Sequence, residues 1–262
     1  MTQLETLVEP NEDLAQWLGV DEVVLVREDL LPDDGGKKRR ALEEFASTLS
    51  GVEHIHLLSY AGSHTAFTLS QLLPEVVIHL YGTHYGGGAY EAAMVNRLNA
   101  QINIVQSIGS VFDMTRKFNR LGRIPIPGHH FMKIGGHLGS DPNTSAAVNA
   151  VINASGSDFH HFVAVASGDL LNNIYLQTQA VTGVLTQPLA IRLFKSLTLP
   201  HARGISATSL GHRISIMREI HKLTGNLWDP IFMGSVFSYL KRKKRLPRKI
   251  CIWVTCPTGI EW

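Results

Sequence analysis

Apolar residues fall along this chain in two alternating rhythms. Short runs rich in β-branched residues lie at 22–27, 54–58, 76–81, 102–106, 130–134, 162–166 and 250–254, and such runs read as buried strands. Between most of them the apolar positions recur at helical spacing, over 39–49, 65–72, 88–98, 111–121, 143–154 and 170–180, with further helical patterns at 209–223 and 234–243. Strands alternating with helices predict parallel sheet with helices on both faces. Sheets of that kind bind ligands at the carboxyl ends of their strands, where helix amino termini converge. The stretch 191–206 fits neither rhythm well and reads as a short strand with a loop. No internal repeat or low-complexity segment breaks the order.

Composition narrows the classes. A chain of 262 residues, 44% hydrophobic and 18% charged, has the make-up of an ordinary globular protein with a substantial core. The net charge of +2 is too small to mark a nucleic-acid or membrane partner. No apolar run approaches the about 20 residues needed to span a bilayer. Met1-Thr2-Gln3-Leu4-Glu5 lacks the basic segment and apolar core of a secretory signal, so a cytoplasmic location is expected. Cys251 and Cys256 have no second pair to complete a zinc site and are expected to be reduced.

Thirteen histidines raise the question of a metal. His54 and His56 alternate along a strand-like segment, whereas His129-His130 and His160-His161 are adjacent pairs that point to opposite faces of a strand. No His-Glu-x-x-His spacing occurs, so no metal is expected. The densest charge run, from Lys241 to Lys249, has no aromatic interleaving and reads as a solvated link at a helix end.

Chemistry concentrates elsewhere. Gly35-Gly36-Lys37-Lys38-Arg39-Arg40-Ala41-Leu42-Glu43 delivers a lysine to the mouth of a helix, after a strand and the polar exit Arg27-Glu28-Asp29. A nucleophilic amine needs a lysine near low-dielectric walls, where its pKa falls and the free base attacks a carbonyl. A solvated basic cluster after a turn has the same composition. Two more strand-to-helix turns carry hydroxyls and small residues: Ser59-Tyr60-Ala61-Gly62-Ser63-His64-Thr65 and Ala166-Ser167-Gly168-Asp169-Leu170-Leu171. Free amides at a helix start make an anion seat, although a hydroxyl there also serves as an N-cap.

The lysine segment resembles the opening of the aminocyclopropanecarboxylate deaminase and D-cysteine desulfhydrase family, pyridoxal-phosphate enzymes of the tryptophan-synthase-β type. The match runs over Arg27-Glu28-Asp29 and Gly35-Gly36-x-Lys38-x-Arg40-x-Leu42-Glu43. A second match, Asp229-Pro230-Ile231-Phe232-Met233-Gly234-Ser235 and then Lys249-Ile250-Cys251-Ile252-Trp253-Val254, resembles the family's Asp-Pro-Val-Tyr-x-Gly-Lys helix and its last core strand. With weaker matches between them, the resemblance covers most of the chain at low identity.

The resemblance implies a two-lobed α/β fold of mostly parallel sheets flanked by helices. Residues 1–58 and 137–262 would form a larger cofactor-binding lobe, and 59–136 a smaller substrate lobe. It implies pyridoxal phosphate as cofactor, a small amino-acid substrate and a homodimer. Lys38 matches the Schiff-base lysine, which also shuttles the proton at the substrate carbon. Ser63, His64 and Thr65 fall in the turn that holds the substrate carboxylate, where Gly62-Ser63-His64 departs from the family's Gln-Ser-Asn, with Ser63 also catalytic. Ser167 and Gly168 match the phosphate cup, and Thr255 falls where a residue approaches the cofactor ring.

Several positions depart from the family. Lys37 replaces asparagine, Phe232 an active-site tyrosine, and Met233 a partner of the pyridine nitrogen. Asp169 stands where the cup has glycine. A carboxylate about 5 Å from the phosphate costs roughly 3 kcal/mol per unit of phosphate charge at an effective dielectric of about 20. Either Asp169 turns outward and caps the helix, or the cup no longer holds phosphate. Three functions follow: a pyridoxal-phosphate lyase or deaminase, an enzyme of that fold with altered chemistry such as β-replacement or racemisation, and a non-catalytic relative kept for binding or assembly.

Overall fold

The computed structural model describes residues 7–31, 36–60, 64–83, 93, 96, 102–106, 111–132, 142–165, 168–186, 204–205 and 208–255. In chain order, the first half runs β1 (Leu7–Pro10), α1 (Glu12–Leu18), β2 (Glu22–Arg27), a 3-10 turn (Glu28–Leu30), α2 (Lys38–Thr48), β3 (His54–Tyr60), α3 (His64–Leu72), β4 (Val77–Thr83), β5 (Ile102–Gln106), α4 (Val111–Leu121) and β6 (His129–Phe131). The second half runs α5 (Pro142–Ser155), β7 (His160–Val165), α6 (Asp169–Gln177), β8 (Val181–Leu185), β9 (Gly204–Ile205), α7 (Leu210–Thr224), α8 (Met233–Arg242) and β10 (Lys249–Val254).

The chain divides into two compact units, one of Met1–Lys37 with Ser140–Glu261 and the other of Lys38–Gly139 with Trp262. The first unit holds a six-stranded sheet in the order β1-β2-β10-β7-β8-β9. Among its described strands only β1 runs antiparallel, pairing Leu7 with Arg27 and Pro10 with Val24. Val23–Val26 and Ile250–Val254 are buried at almost every position, as strands covered on both faces require. The core on one side gathers Val24, Val26, Val163, Val165 and Trp253 of the sheet with Val148 and Val151 of α5 and Leu170, Leu171 and Ile174 of α6. Helices α7 and α8 approach so closely that a Cβ at Gly234 would lie 3.0 Å from Cβ of Arg213.

The second unit holds a four-stranded, all-parallel sheet in the order β5-β4-β3-β6. One face buries Ile55, Leu57, Ile78 and Leu80 under Leu42 of α2 and Ala66 and Leu69 of α3. The other packs Leu58 and Tyr81 against Phe118 of α4, with Leu121 and Phe131 alongside.

Three elements differ from the sequence expectation. β1 and α1 lie ahead of the first expected strand, and the helix expected over 170–180 ends at Gln177, leaving Val181–Leu185 to form β8. Of the expected helix 88–98 only Ala93 and Asn96 are described, both helical, and of 191–206 only the short β9. Among the described residues no helix is long and apolar enough to cross a membrane.

Candidate functional site

Three strands of the first unit end at one edge. β2, β10 and β7 are neighbours and parallel, with Arg27 beside Val254 and Trp253 beside Val163. Past β2 the chain reaches Gly36, buried at φ +52, a left-handed conformation that favours glycine. The next amide, Lys37 N–H, donates to the carbonyl of Thr255 at 3.1 Å, just beyond β10. The turn after β2 is thereby tied to the carboxyl end of the central strand. Lys38 follows by one peptide bond, half-buried, as the first residue of α2.

The third strand, β7, leads to Gly168, buried at φ +91, and then to α6. As N-cap residue Gly168 has no side chain to accept from the first amides of the helix, so those donors suit an anion. Asp169 occupies the first turn, half-buried, and its Oδ1 is out of solvent. Asp169 therefore does not turn wholly outward. The turn itself is held by backbone and neighbours: Asn172 N–H donates to the Gly168 carbonyl at 2.9 Å and Asn173 Nδ2 to the Asp169 carbonyl at 3.0 Å. Ser145 Oγ donates to Asn173 Oδ1 at 2.7 Å and fixes that amide.

Each taken within its own unit, two of these features have chemistry that suits pyridoxal phosphate. A half-buried lysine suits its aldehyde, and the glycine-capped helix start suits its phosphate. They meet it less well at Asp169, whose charge opposes an anion at the same helix end. Thr255 is 1% exposed and takes part through its carbonyl. Ser167 lies outside the described residues.

In the second unit α2 and α3 pack side by side on one face of the sheet. α2 reaches β3 through the short link 49–53 and α3 begins at His64, four positions after β3 ends at Tyr60, so both helix starts lie toward the carboxyl end of β3. His64 and Thr65 form the first turn of α3, 7% and 5% exposed. Thr68 Oγ1 donates to the His64 carbonyl at 2.8 Å. Ser63 lies outside the described residues.

The second sequence match belongs to the core of the first unit. Asp229, fully buried, accepts the Phe232 N–H at 2.6 Å and opens α8. Phe232 and Met233 are 7% and 0% exposed. The basic run that ends α8 is mostly exposed and ion-paired at its two ends: Lys241 with Glu219, Arg248 with Asp21, and Lys249 with Glu22 and Asp158. Cys251 is a buried free thiol whose pKa burial raises strongly, while Cys256 lies outside the described residues.

Sequence reasoning missed one cluster. His54 and His56 of β3, His79 of β4 and His129 of β6 come together on one sheet face. The signal was the two-residue spacing of His54 and His56, but the partners appear only once the strand register is known. Among the described residues no group of three or more His, Cys, Asp or Glu has the geometry to hold a metal ion.

No protein-family model and no curated protein sequence matches the chain. Solved structures do. An ACC deaminase homologue aligns with a TM-score of 0.70 at 18% identity, over 96% of this chain and 89% of its own. A threonine deaminase from T.th. gives 0.67 at 16% identity, over 99% and 94%. A fungal L-serine ammonia-lyase from Rhizomucor miehei gives 0.66 at 15% identity, over 98% and 95%. The chain has the α/β, mostly parallel fold of tryptophan-synthase-β-like pyridoxal-phosphate enzymes.

Proposed function

We propose that this protein is a pyridoxal-phosphate-dependent lyase or deaminase of a small amino acid, in the manner of D-cysteine desulfhydrase or aminocyclopropanecarboxylate deaminase. The observation that carries the reading is the hydrogen bond from Lys37 N–H to the Thr255 carbonyl, which fixes the entry to Lys38 at the carboxyl end of the central strand. Lys38 would hold the cofactor through its amine and later move the proton at the substrate carbon. Amides at the Gly168 turn would bind the phosphate. The first turn of α3, with Ser63, His64 and Thr65, would hold the substrate carboxylate. When bound, the cofactor supplies an electron sink for the carbanion at the substrate's α-carbon.

Asp169 favours a second reading, a relative of this fold that has lost the cofactor and serves binding or assembly. One experiment separates the two. Purified protein is incubated with pyridoxal phosphate, reduced with borohydride and peptide-mapped. A pyridoxyl group on Lys38 and a visible absorption band before reduction support the enzyme. A label on Lys37 alone overturns the assignment of the lysine, and no band at saturating cofactor supports the second reading.

A further inference from the structure

One face of the four-stranded sheet carries a ladder of imidazoles. His54 and His56, two residues apart on β3, share that face, and the parallel register sets His79 beside His56 and His129 beside His54. His56 stacks on Phe131 with centroids 4.1 Å apart and planes 6° apart, and on His79 at 4.5 Å and 9°. His54 stacks on His129 at 4.3 Å and 25°. The ring nitrogens pair with neighbours instead of converging on one point. His56 Nε2 meets His129 Nδ1 at 2.9 Å, His56 Nδ1 meets the Tyr81 hydroxyl at 3.1 Å, and His54 Nδ1 meets His79 Nε2 at 3.1 Å. His56 is 7% exposed and the other three rings are half-buried.

Proton counting sets the behaviour of this ladder. A neutral imidazole has one donor and one acceptor nitrogen, so four neutral rings and one phenol satisfy every contact. A single extra proton on His56 is tolerated if Tyr81 and His129 both accept. A second proton on His129 sets donor against donor across the His56–His129 contact, and one on His54 or His79 places a second cation among closely packed rings. Among the residues whose side chains are described, no carboxylate hydrogen-bonds any of the four rings. Glu53 lies against Gly128, just ahead of β6. The covering helix α4 brings Arg116, Lys117 and Arg120, with Arg123 after it, all exposed and of the same sign as a protonated ring. His130 points to the opposite face, against Phe45.

The ladder also sits where the unit is thinly held. Among the described strands β6, three residues long, lies at the sheet edge and pairs with β3. Its outer side borders a cavity of about 420 Å³ lined by Gly122, the segment 124–127 and His129, His130 and Phe131. Helix α4 is anchored to this face by Phe118, edge-on to Tyr81 and to Phe131. An edge with few buried contacts opens before the rest of a domain.

We propose that His54, His56, His79 and His129 form a proton-sensitive latch, which holds β6 and α4 on the sheet while the rings are neutral and releases them when two or more are charged. Burial first, and then His79, His129 and His54, lower the His56 pKa from 6.5 to about 4. Burial, then His54 and His129, lower that of His79. A folded-state pKa below the unfolded one gives stability that is complete above about 6.5 and lost as the pH falls toward 4. The latch stands independently of any cofactor chemistry.

Hydrogen exchange read by mass spectrometry tests it, from about pH 7.5 to about pH 4.5, with rates corrected for intrinsic pH dependence. Peptides spanning 111–132 should lose protection by about tenfold or more below about pH 6, while β7 peptides keep theirs. The variant His129→Phe, which keeps a stacking ring and removes the pairing, should flatten that profile. Protection of 111–132 that ignores pH, falls only together with β7, or falls equally in His129→Phe overturns the latch. Should that variant not fold, ring resonances of the wild-type protein decide. A His56 that titrates near 6.5 overturns the proposal, and one near 4 supports it.

Discussion

Arg27 and Asp29 face each other as a two-pronged ion pair inside the first unit, Nε to Oδ1 and Nη2 to Oδ2, both at 2.8 Å. The indole N–H of Trp228 donates to the same Oδ2 at 3.2 Å, and Glu9 takes a third arm of the guanidinium at 2.6 Å. Both side chains are under one-tenth exposed. Strand β1 is therefore joined to β2, and β2 to the segment before α8, through one buried cation. A buried charge stripped of its partner costs far more than the pair contributes. Asp29→Asn should lower stability by about 3 kcal/mol, read as the urea midpoint. Replacing Arg27 by Met together with Asp29 by Leu should cost much less. A loss for Asp29→Asn within about 0.5 kcal/mol would mean that Glu9 alone satisfies the guanidinium.

Gly183 is a second pressure point. It lies inside β8, where glycine is ordinarily a poor choice. A Cβ there would come 2.5 Å from Cδ2 of Leu171 and 2.6 Å from Cγ2 of Val165. The leucine tip moves by changing rotamer, but Val165 is stiff at χ1 on the adjacent strand. Gly183→Ala should cost about 2 kcal/mol as overpacking, seen as a lower melting temperature. An unchanged melting temperature would show that α6 lifts freely from the sheet.

The legibility of this chain follows the length of its signals. β2, β7 and β10 are unbroken apolar runs and were readable, as was the lysine turn between β2 and α2. β1 was missed because Leu7–Pro10 is four residues long and ends in proline, and its pairing partner supplies most of its definition. α1 carried a readable cap, with Asn11 accepting the Leu14 N–H at 2.9 Å and Gly19 left-handed at its end, but its seven residues were too few for a periodic pattern. β8 was hidden by Gly183, whose presence is a matter of space beside Leu171 and Val165 and not of strand preference. The sequence anticipated a helix opening at the lysine segment and another after Gly168, and both helices form there. It could not locate the histidine ladder, because His79 and His129 join His56 only through parallel register between strands far apart in the chain.

His161 gives the first unit its own acid sensitivity. Trp253 Nε1 donates to His161 Nδ1 at 3.1 Å, so that nitrogen must stay unprotonated. Burial, and then His160, lower the His161 pKa from 6.5 to about 4. The unfolded chain takes up a proton in that window and the folded one does not, so stability falls as the pH drops from 6.5 toward 4. The loss between about pH 7.5 and about pH 5 should be about 2 kcal/mol from this residue. Tryptophan emission during urea unfolding reports it, since three of the four tryptophans, Trp17, Trp228 and Trp253, belong to this unit. His161→Gln, whose amide oxygen can accept the indole N–H, should remove most of the slope. A slope that survives this change belongs to another group.

Asp169 decides between the two readings of function. Its carboxylate sits in the first turn of α6, with Oδ1 buried, at the helix end where a phosphate would bind. An acid there stabilises the helix by about 0.5 kcal/mol through the dipole. The Gly168 and Asp169 carbonyls are held by Asn172 and Asn173, so part of the turn is fixed by groups other than this side chain. Asp169→Gly should therefore fold, with a small stability loss, and should bind pyridoxal phosphate as well as the wild type or more tightly, as followed by absorbance titration. At a separation of about 5 Å and an effective dielectric of about 20, removing the charge relieves roughly 3 kcal/mol per unit of phosphate charge, so a gain of tenfold or more is expected if the carboxylate faces the phosphate. Asp169→Asn keeps the shape without the charge and should show the same gain, which separates electrostatics from space. A wild type that binds no cofactor beside an Asp169→Gly that does would identify the natural chain as a binding or assembly relative of this fold. Loss of binding in a folded Asp169→Gly would instead give the carboxylate a positive role and move the phosphate away from the Gly168 turn.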